Sequence, residues 1–352
     1  MAEIGASPAL YPIQDLRGEV RLIRLEEADY RRASFLDDRM GPGSVEGGTR
    51  SWLNLAEAVA GTPIHAHFIF HIGHVGSTLM SRLLGEHPAV FSLREPGLLR
   101  PLAHAWPQLS PAAEVRLDTL LRLLSRTWRP RQTALIKATS FVSVMAEELL
   151  TRDVQARAVA MATSPPSYMR SILGGPASRK EISGMTPHRM ARLEERLETT
   201  VVASSEGEAI AMSWLCEALA LHAACERHGS RVLWLDFDRF LTDPVRGLQD
   251  AFTHLDVPAE PAFVAELAAG PLMGRYSKDL EHAYDADLRR RVQAQAEDEF
   301  GGEVAAGMEW LQRMGEIHPP VLAALRRAAQ AARGVRAPMS AVQGVSGPNG
   351  LI

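Results

Sequence analysis

The run Phe68-Ile69-Phe70-His71-Ile72 stops at Gly73-His74-Val75-Gly76, and Ser77-Thr78 then opens an amphipathic stretch through Leu84. An apolar run of strand length, a glycine turn and a helix start make a strand–loop–helix unit. Such a unit belongs in a parallel α/β sheet, where a helix carries the chain back over the strands. It also aims unpaired backbone N–H groups and the positive end of a helix at one point, which favours a phosphate or sulfate. The spacing Gly73-x-x-Gly76-Ser77-Thr78 differs from the triphosphatase pattern G-x-x-x-x-G-K-[ST], because no lysine precedes the hydroxyls. Two adjacent hydroxyls suit a terminal phosphate better than a metal-assisted triphosphate.

The rest of the chain extends the same pattern. Further strands are expected at Val90–Leu93, Thr133–Lys137, Arg157–Ala162 and Arg231–Phe237, separated by helices at Ser77–Gly85, Pro111–Trp128, Met145–Leu150, Tyr168–Leu173 and Ile210–His228. Pro244–Leu255 reads as a helix with Asp243 as its N-cap. Alternating strands and helices predict a P-loop-type parallel sheet flanked by helices, with a helical C-terminal extension. Upstream, Val20–Leu25 reads as a strand with one wet face. Pro42 with Gly41, Gly43, Gly47 and Gly48 marks a loop, and Ser51–Ala60 a helix. The expected organisation is an N-terminal appendage over 1–60, a main domain over 61–315, and a C-terminal helix over 316–352 ending in a disordered Gly-, Ser- and Pro-rich tail.

Composition bounds the partners. With 352 residues, 46% hydrophobic and 23% charged, the chain is of ordinary globular type. A net charge of −4 gives no reason to expect nucleic acid. No continuous apolar run of spanning length is present, so no transmembrane segment is expected. Met1-Ala2-Glu3-Ile4-Gly5 lacks a basic region followed by an apolar core, so no secretory signal is expected. Cys216 and Cys225 fall in one expected helix about 13 Å apart, too far for a disulfide. A reducing cytoplasm fits. No Cys/His cluster has zinc spacing.

The loop resembles the 5′-phosphosulfate-binding loop of sulfotransferases that use 3′-phosphoadenosine 5′-phosphosulfate (PAPS). It is most similar to the bacterial branch, whose loop ends in G-S-T-L and is followed by an R-E-P segment, here Arg94-Glu95-Pro96. The resemblance covers roughly residues 65–280. It implies PAPS as donor, no required metal, and transfer of a sulfuryl group to a hydroxyl of a small molecule, lipid or sugar. Gly73, Gly76, Ser77 and Thr78 would cradle the 5′ end, and Glu95 would act as base. Two positions depart from the family pattern. His74 stands where a lysine or arginine is usual, and it would have to donate to the leaving phosphate as an imidazolium. Thr163 stands where an arginine reads the 3′-phosphate. Ser171 matches the serine of that site. Arg275 and Lys278, in Gly274-Arg275-Tyr276-Ser277-Lys278, resemble the late basic loop that closes it. Arg170 is a further cation near Ser171.

Other residues carry chemistry with less direction. Lys137 ends a strand on the side that faces the ligand crevice. Asp236 and Asp238 also end a strand and would suit magnesium in a kinase. The missing loop lysine argues instead for a structural role. The alternatives are therefore a catalytically weak or inactive nucleotide-binding protein of the same fold, or a P-loop kinase. The acceptor pocket is expected from Arg100–Trp128 and from residues 175–205. The sequence does not define the oligomeric state.

Overall fold

Apolar strands fully sheathed by helices form the centre of the molecule. The computed structural model describes residues 2–40, 45–275 and 285–334. Strands β4 (Ala66–His71), β5 (Val90–Arg94), β6 (Thr133–Lys137), β7 (Ala158–Ala162) and β8 (Val232–Asp236) pair in parallel in the order β5-β6-β4-β7-β8. β4, which feeds the glycine loop, lies at the centre, and every one of its residues is buried. The order reverses direction on either side of β4. Connections therefore leave its carboxyl end in opposite directions and open a crevice there. The Ser77–Gly85 helix, buried over nearly its whole length, packs beside β4 and β5.

The N-terminal residues are more ordered than their sequence indicates. β1 (Leu10–Leu16), β2 (Glu19–Arg24) and β3 (Val45–Ser51) form an antiparallel sheet. β3 runs through Gly47 and Gly48, which the sequence reading assigns to a loop. A Cβ on Gly47 would lie 2.8 Å from Leu10 Cδ2 and 3.1 Å from the Leu22 backbone. Glycine there permits close strand approach rather than a turn. Gly41, Pro42 and Gly43 lie outside the described residues.

Buried arginines fasten this sheet and the helix Glu27–Arg32 to the core. Arg94 donates to the carbonyls of Tyr30, Arg31 (3.1 Å) and Ala33 (2.7 Å). Arg82 donates to the carbonyls of Arg31 (3.0 Å) and Arg32 (3.2 Å). Arg126 holds the carbonyls of Ile4, Ser7 and Leu10. Arg94 and Arg126 bind main-chain oxygens rather than carboxylates, and burial pushes their guanidiniums down, to about 9 and about 10.

Two further helices extend the sequence reading. Pro176–Leu197 begins immediately after the Gly174-Gly175 break, and Ala286–Ile317 packs along Pro165–Leu173 and Glu206–His228. The segment Glu206–Arg231 has the length and apolarity to cross a membrane, but it is largely buried inside the molecule. Cys216 and Cys225 are buried free thiols within it. Asp243 caps Pro244–His254, accepting from the Arg246 N–H at 3.1 Å.

Candidate functional site

The crevice at the end of β4 holds a cavity of about 250 Å³. Its floor is the glycine loop. Gly73 has φ +89° and Gly76 φ +63°, and His74 between them is also left-handed at +54°. A Cβ on Gly76 would fall 2.1 Å from the Phe237 ring, so both conformation and space require glycine. His71, at the end of β4, fixes the loop. Its Nδ1 accepts from the Gly73 N–H at 3.0 Å, and its Nε2 lies 2.9 Å from the Ala138 carbonyl of the neighbouring strand connection. The first helical turn from Ser77 leaves N–H groups without intrahelical acceptors. Ser77 and Thr78 are buried, and the Thr78 hydroxyl oxygen has no hydrogen-bond partner although it lies in the cavity wall. A buried, unpartnered hydroxyl beside a helix N-terminus is a vacant donor for an anion.

His74, Gly76, Ser77, Thr78, Ser171 and Arg275 all line this cavity. The structure thus gathers residues spread over two hundred positions. Gly73 shapes the loop behind them. Lys278 lies outside the described residues. His74 turns toward the Pro176–Leu197 helix, with Nδ1 3.3 Å from the Ser178 hydroxyl and Nε2 3.5 Å from Glu181. Ser171 donates to the Ser167 carbonyl at 2.8 Å and accepts from Gln293 at 2.9 Å.

Glu95 is set one layer back. It has φ +52°, is buried, and is not among the residues lining the cavity. Its carboxylate meets three cations: Lys137, Arg39 at 3.3 Å and Arg100 at 3.7 Å. Its N–H donates to the Lys137 carbonyl at 2.7 Å, which continues the β5–β6 ladder. Lys137 itself is wholly buried and lines the cavity, so it is not the solvated strand-end lysine that is usual at such positions. The sequence leaves Lys137 between a solvated strand end and a crevice residue, and favours the first; its burial in the cavity wall corrects this.

The cavity is also lined by a cation that the sequence does not single out. Arg289 is buried, lines the cavity, donates to Asp238 at 2.9 Å and lies 5.0 Å over the Phe237 ring. Asp238 also accepts from Thr163 and Ser167. Burial would raise its carboxyl, but Arg289 and the two hydroxyls outweigh this and hold it below the usual range. Asp236 caps the next helix by accepting from the Arg239 N–H at 2.9 Å. Burial pushes its carboxyl up to about 6. Both carboxylates are thus committed within the protein, in line with the structural role read from sequence. Arg170 does not serve the cavity. It pairs with Glu297 of the Ala286–Ile317 helix, whereas Arg289 of that helix donates to the Ser167 hydroxyl at 3.4 Å, one turn before Ser171.

The two regions expected to frame an acceptor also meet. The His104 ring lies 4.3 Å from Phe141 and 5.1 Å from His188, and the Arg192 guanidinium lies 3.5 Å over Phe141.

No family model matches the chain, and no curated protein does. Solved structures that it resembles are sulfotransferases. The sulfotransferase domain from the curacin biosynthetic pathway is 14% identical over 72% of this chain and 98% of that one, with a TM-score of 0.40. Sulfotransferase STF9 from Mycobacterium avium is 15% identical over 71% of this chain and 80% of that one, with a TM-score of 0.39. The sulfotransferase domain of the Synechococcus PCC 7002 olefin synthase is 14% identical over 76% and 97%, with a TM-score of 0.39.

Proposed function

We propose that the protein is a sulfotransferase that moves a sulfuryl group from PAPS to a hydroxyl acceptor. The observation that carries this reading is the buried, unpartnered Thr78 hydroxyl. It stands beside Ser77 at a helix N-terminus that opens into a cavity also lined by Lys137, Arg275 and Arg289. That arrangement suits a ligand that carries more than one anionic group. Gly76, Ser77 and Thr78 hold the 5′ end. Ser171, Arg275 and Arg289 hold the other, with Lys278 as a further candidate.

In the transfer, the bond from sulfur to the bridging oxygen of the donor breaks as the acceptor oxygen bonds to sulfur. The acceptor proton leaves, and 3′,5′-adenosine bisphosphate departs. Loose transfers of this type depend mainly on positioning and charge stabilisation. Lys137 and His74, both lining the cavity, are the N–H donors for the developing charge on the bridging oxygen. Glu95, reached through Lys137, is the base. Lys137, Arg39 and Arg100 hold its carboxylate in ion pairs, and this hold stands in opposition to its receiving the acceptor proton.

That opposition favours a second reading, in which the protein binds the nucleotide and transfers slowly or not at all. Asp236 and Asp238 are both committed elsewhere, so a kinase reading gains nothing from them. The test is thermal stabilisation by 3′,5′-adenosine bisphosphate without magnesium, followed by incubation with labelled PAPS and a panel of hydroxyl acceptors. Stabilisation with labelled product, lost in Glu95→Gln, is expected. Stabilisation without product supports the second reading. A response only to ATP with magnesium overturns both.

A further inference from the structure

Arginine and histidine side chains gather around Phe141. Arg192 is fixed by donating to the carbonyls of Phe141 (3.0 Å) and Ala103 (2.8 Å), and its guanidinium lies over the Phe141 ring. A guanidinium has five N–H donors, so these bonds leave others for a ligand. The His104 and His188 rings stand beside Phe141, and both residues are exposed. Burial, then the charges of His188, Arg192 and Arg100, push the His104 imidazole down, so these groups lie within electrostatic reach of one another. Among the described residues, none of His104, His188 and Arg192 has a carboxylate in salt-bridge range. Glu217, whose charge reaches Arg192, is buried and paired with Arg189 at 3.1 Å.

The patch is joined to the donor cavity at two points. Phe141 follows Ser140, whose hydroxyl would lie 3.6 Å from a Cβ on Gly73. Arg100 reaches Glu95, whose partner Lys137 lines the cavity. Arg100 is thus separated from Lys137 by the Glu95 carboxylate alone.

Resting on the sulfuryl-transfer reading, we infer that the acceptor carries an anionic group, received by Arg192 with the ring N–H groups of His104 and His188 around Phe141, and with Arg100, which Glu95 shares. The Arg192 guanidinium is held by two carbonyls and faces no carboxylate among the described residues, so an anion there gains a charge-assisted hydrogen bond while the rings cover an apolar body. A cationic acceptor is disfavoured for the same reason.

The test uses a matched pair of phenols, 4-hydroxyphenylacetate and its neutral twin 4-hydroxyphenylacetamide, on the full chain. One arm measures binding of each by calorimetry or ligand-observed NMR with no nucleotide present. The other measures sulfated product with PAPS. The acid is expected to bind at least ten-fold more tightly than the amide. His188→Glu, at an exposed position, should erase most of that preference by weakening binding of the acid, and His188→Lys should retain it. Equal binding of acid and amide, or failure of the acid to bind, overturns the inference. So does a preference that survives His188→Glu and Arg100→Glu alike. Binding of the acid without product in the second arm leaves the anion site standing and counts against sulfuryl transfer instead.

Discussion

Replacing Gly76 by alanine tests whether the loop geometry is as constrained as it looks. Two separable costs follow from the structure. The backbone sits at φ +63°, where a residue with a Cβ loses roughly 1–2 kcal/mol. The new Cβ would also lie 2.1, 2.3 and 2.8 Å from Cε2, Cζ and Cδ2 of Phe237. Such contacts force the ring or the loop to move, at roughly 1–3 kcal/mol for an overpacked core. Together the loss is roughly 2–5 kcal/mol, which for a chain of this size lowers Tm by roughly 5–15 °C. The two terms separate in a double-mutant cycle with Phe237→Leu, which removes the ring edge. Gly76→Ala in that background should recover the steric part and keep the backbone part. The assay is thermal unfolding with and without 3′,5′-adenosine bisphosphate. The displaced loop should also lose most of the ligand-induced rise. A Gly76→Ala protein that melts within about 1 °C of the parent and keeps its ligand response would refute the reasoning.

Three more expectations follow. Lys137→Met strips the buried Glu95 of its closest cation and should cost about 3 kcal/mol in denaturant unfolding; adding Glu95→Gln should recover part of it, and additive losses would show that the pair is uncoupled. The raised carboxyl of Asp236 binds its proton more tightly in the folded state, so stability should fall as pH rises from about 4 through about 6, on the order of 2–3 kcal/mol in all. Asp236→Asn should flatten that dependence in pH-resolved melts while still capping the Arg239 N–H, and an unchanged profile would count against the assignment. If His74 stabilises the leaving phosphate, His74→Arg should keep or raise turnover and flatten its rate–pH profile, whereas lost turnover would argue against that role.

What the sequence reveals depends on how far apart the interacting residues lie. The glycine loop and the Ser77–Gly85 helix are legible because the turn, the hydroxyls and the apolar face sit within seventeen consecutive residues, 68–84. The core strands are legible because both faces are covered and the runs are continuously apolar. The Pro176–Leu197 helix is not, since it buries only Ile182, Arg189 and Leu193 and carries Gly184 and Pro187 within it. The cations around Glu95 come from three separate segments, and no local pattern joins them. Arg289 sits in a run of three arginines. Only the helical spacing of Arg289, Val292, Gln293 and Ala296 distinguishes the inward one, and the start of that helix is hard to fix from sequence.

The buried arginines that grip main-chain oxygens have a practical consequence. A shortened chain beginning at β4 would strip Arg94 and Arg126 of the carbonyls they bind and of the segment that covers them, and would take Arg39 away from Glu95. Deleting the front of the molecule would thus reach the surroundings of Glu95 and Lys137, so recombinant fragments meant to test the proposed site should keep residue 4 onward. Transplanting a foreign leading segment would succeed only if it offered carbonyls at the same places.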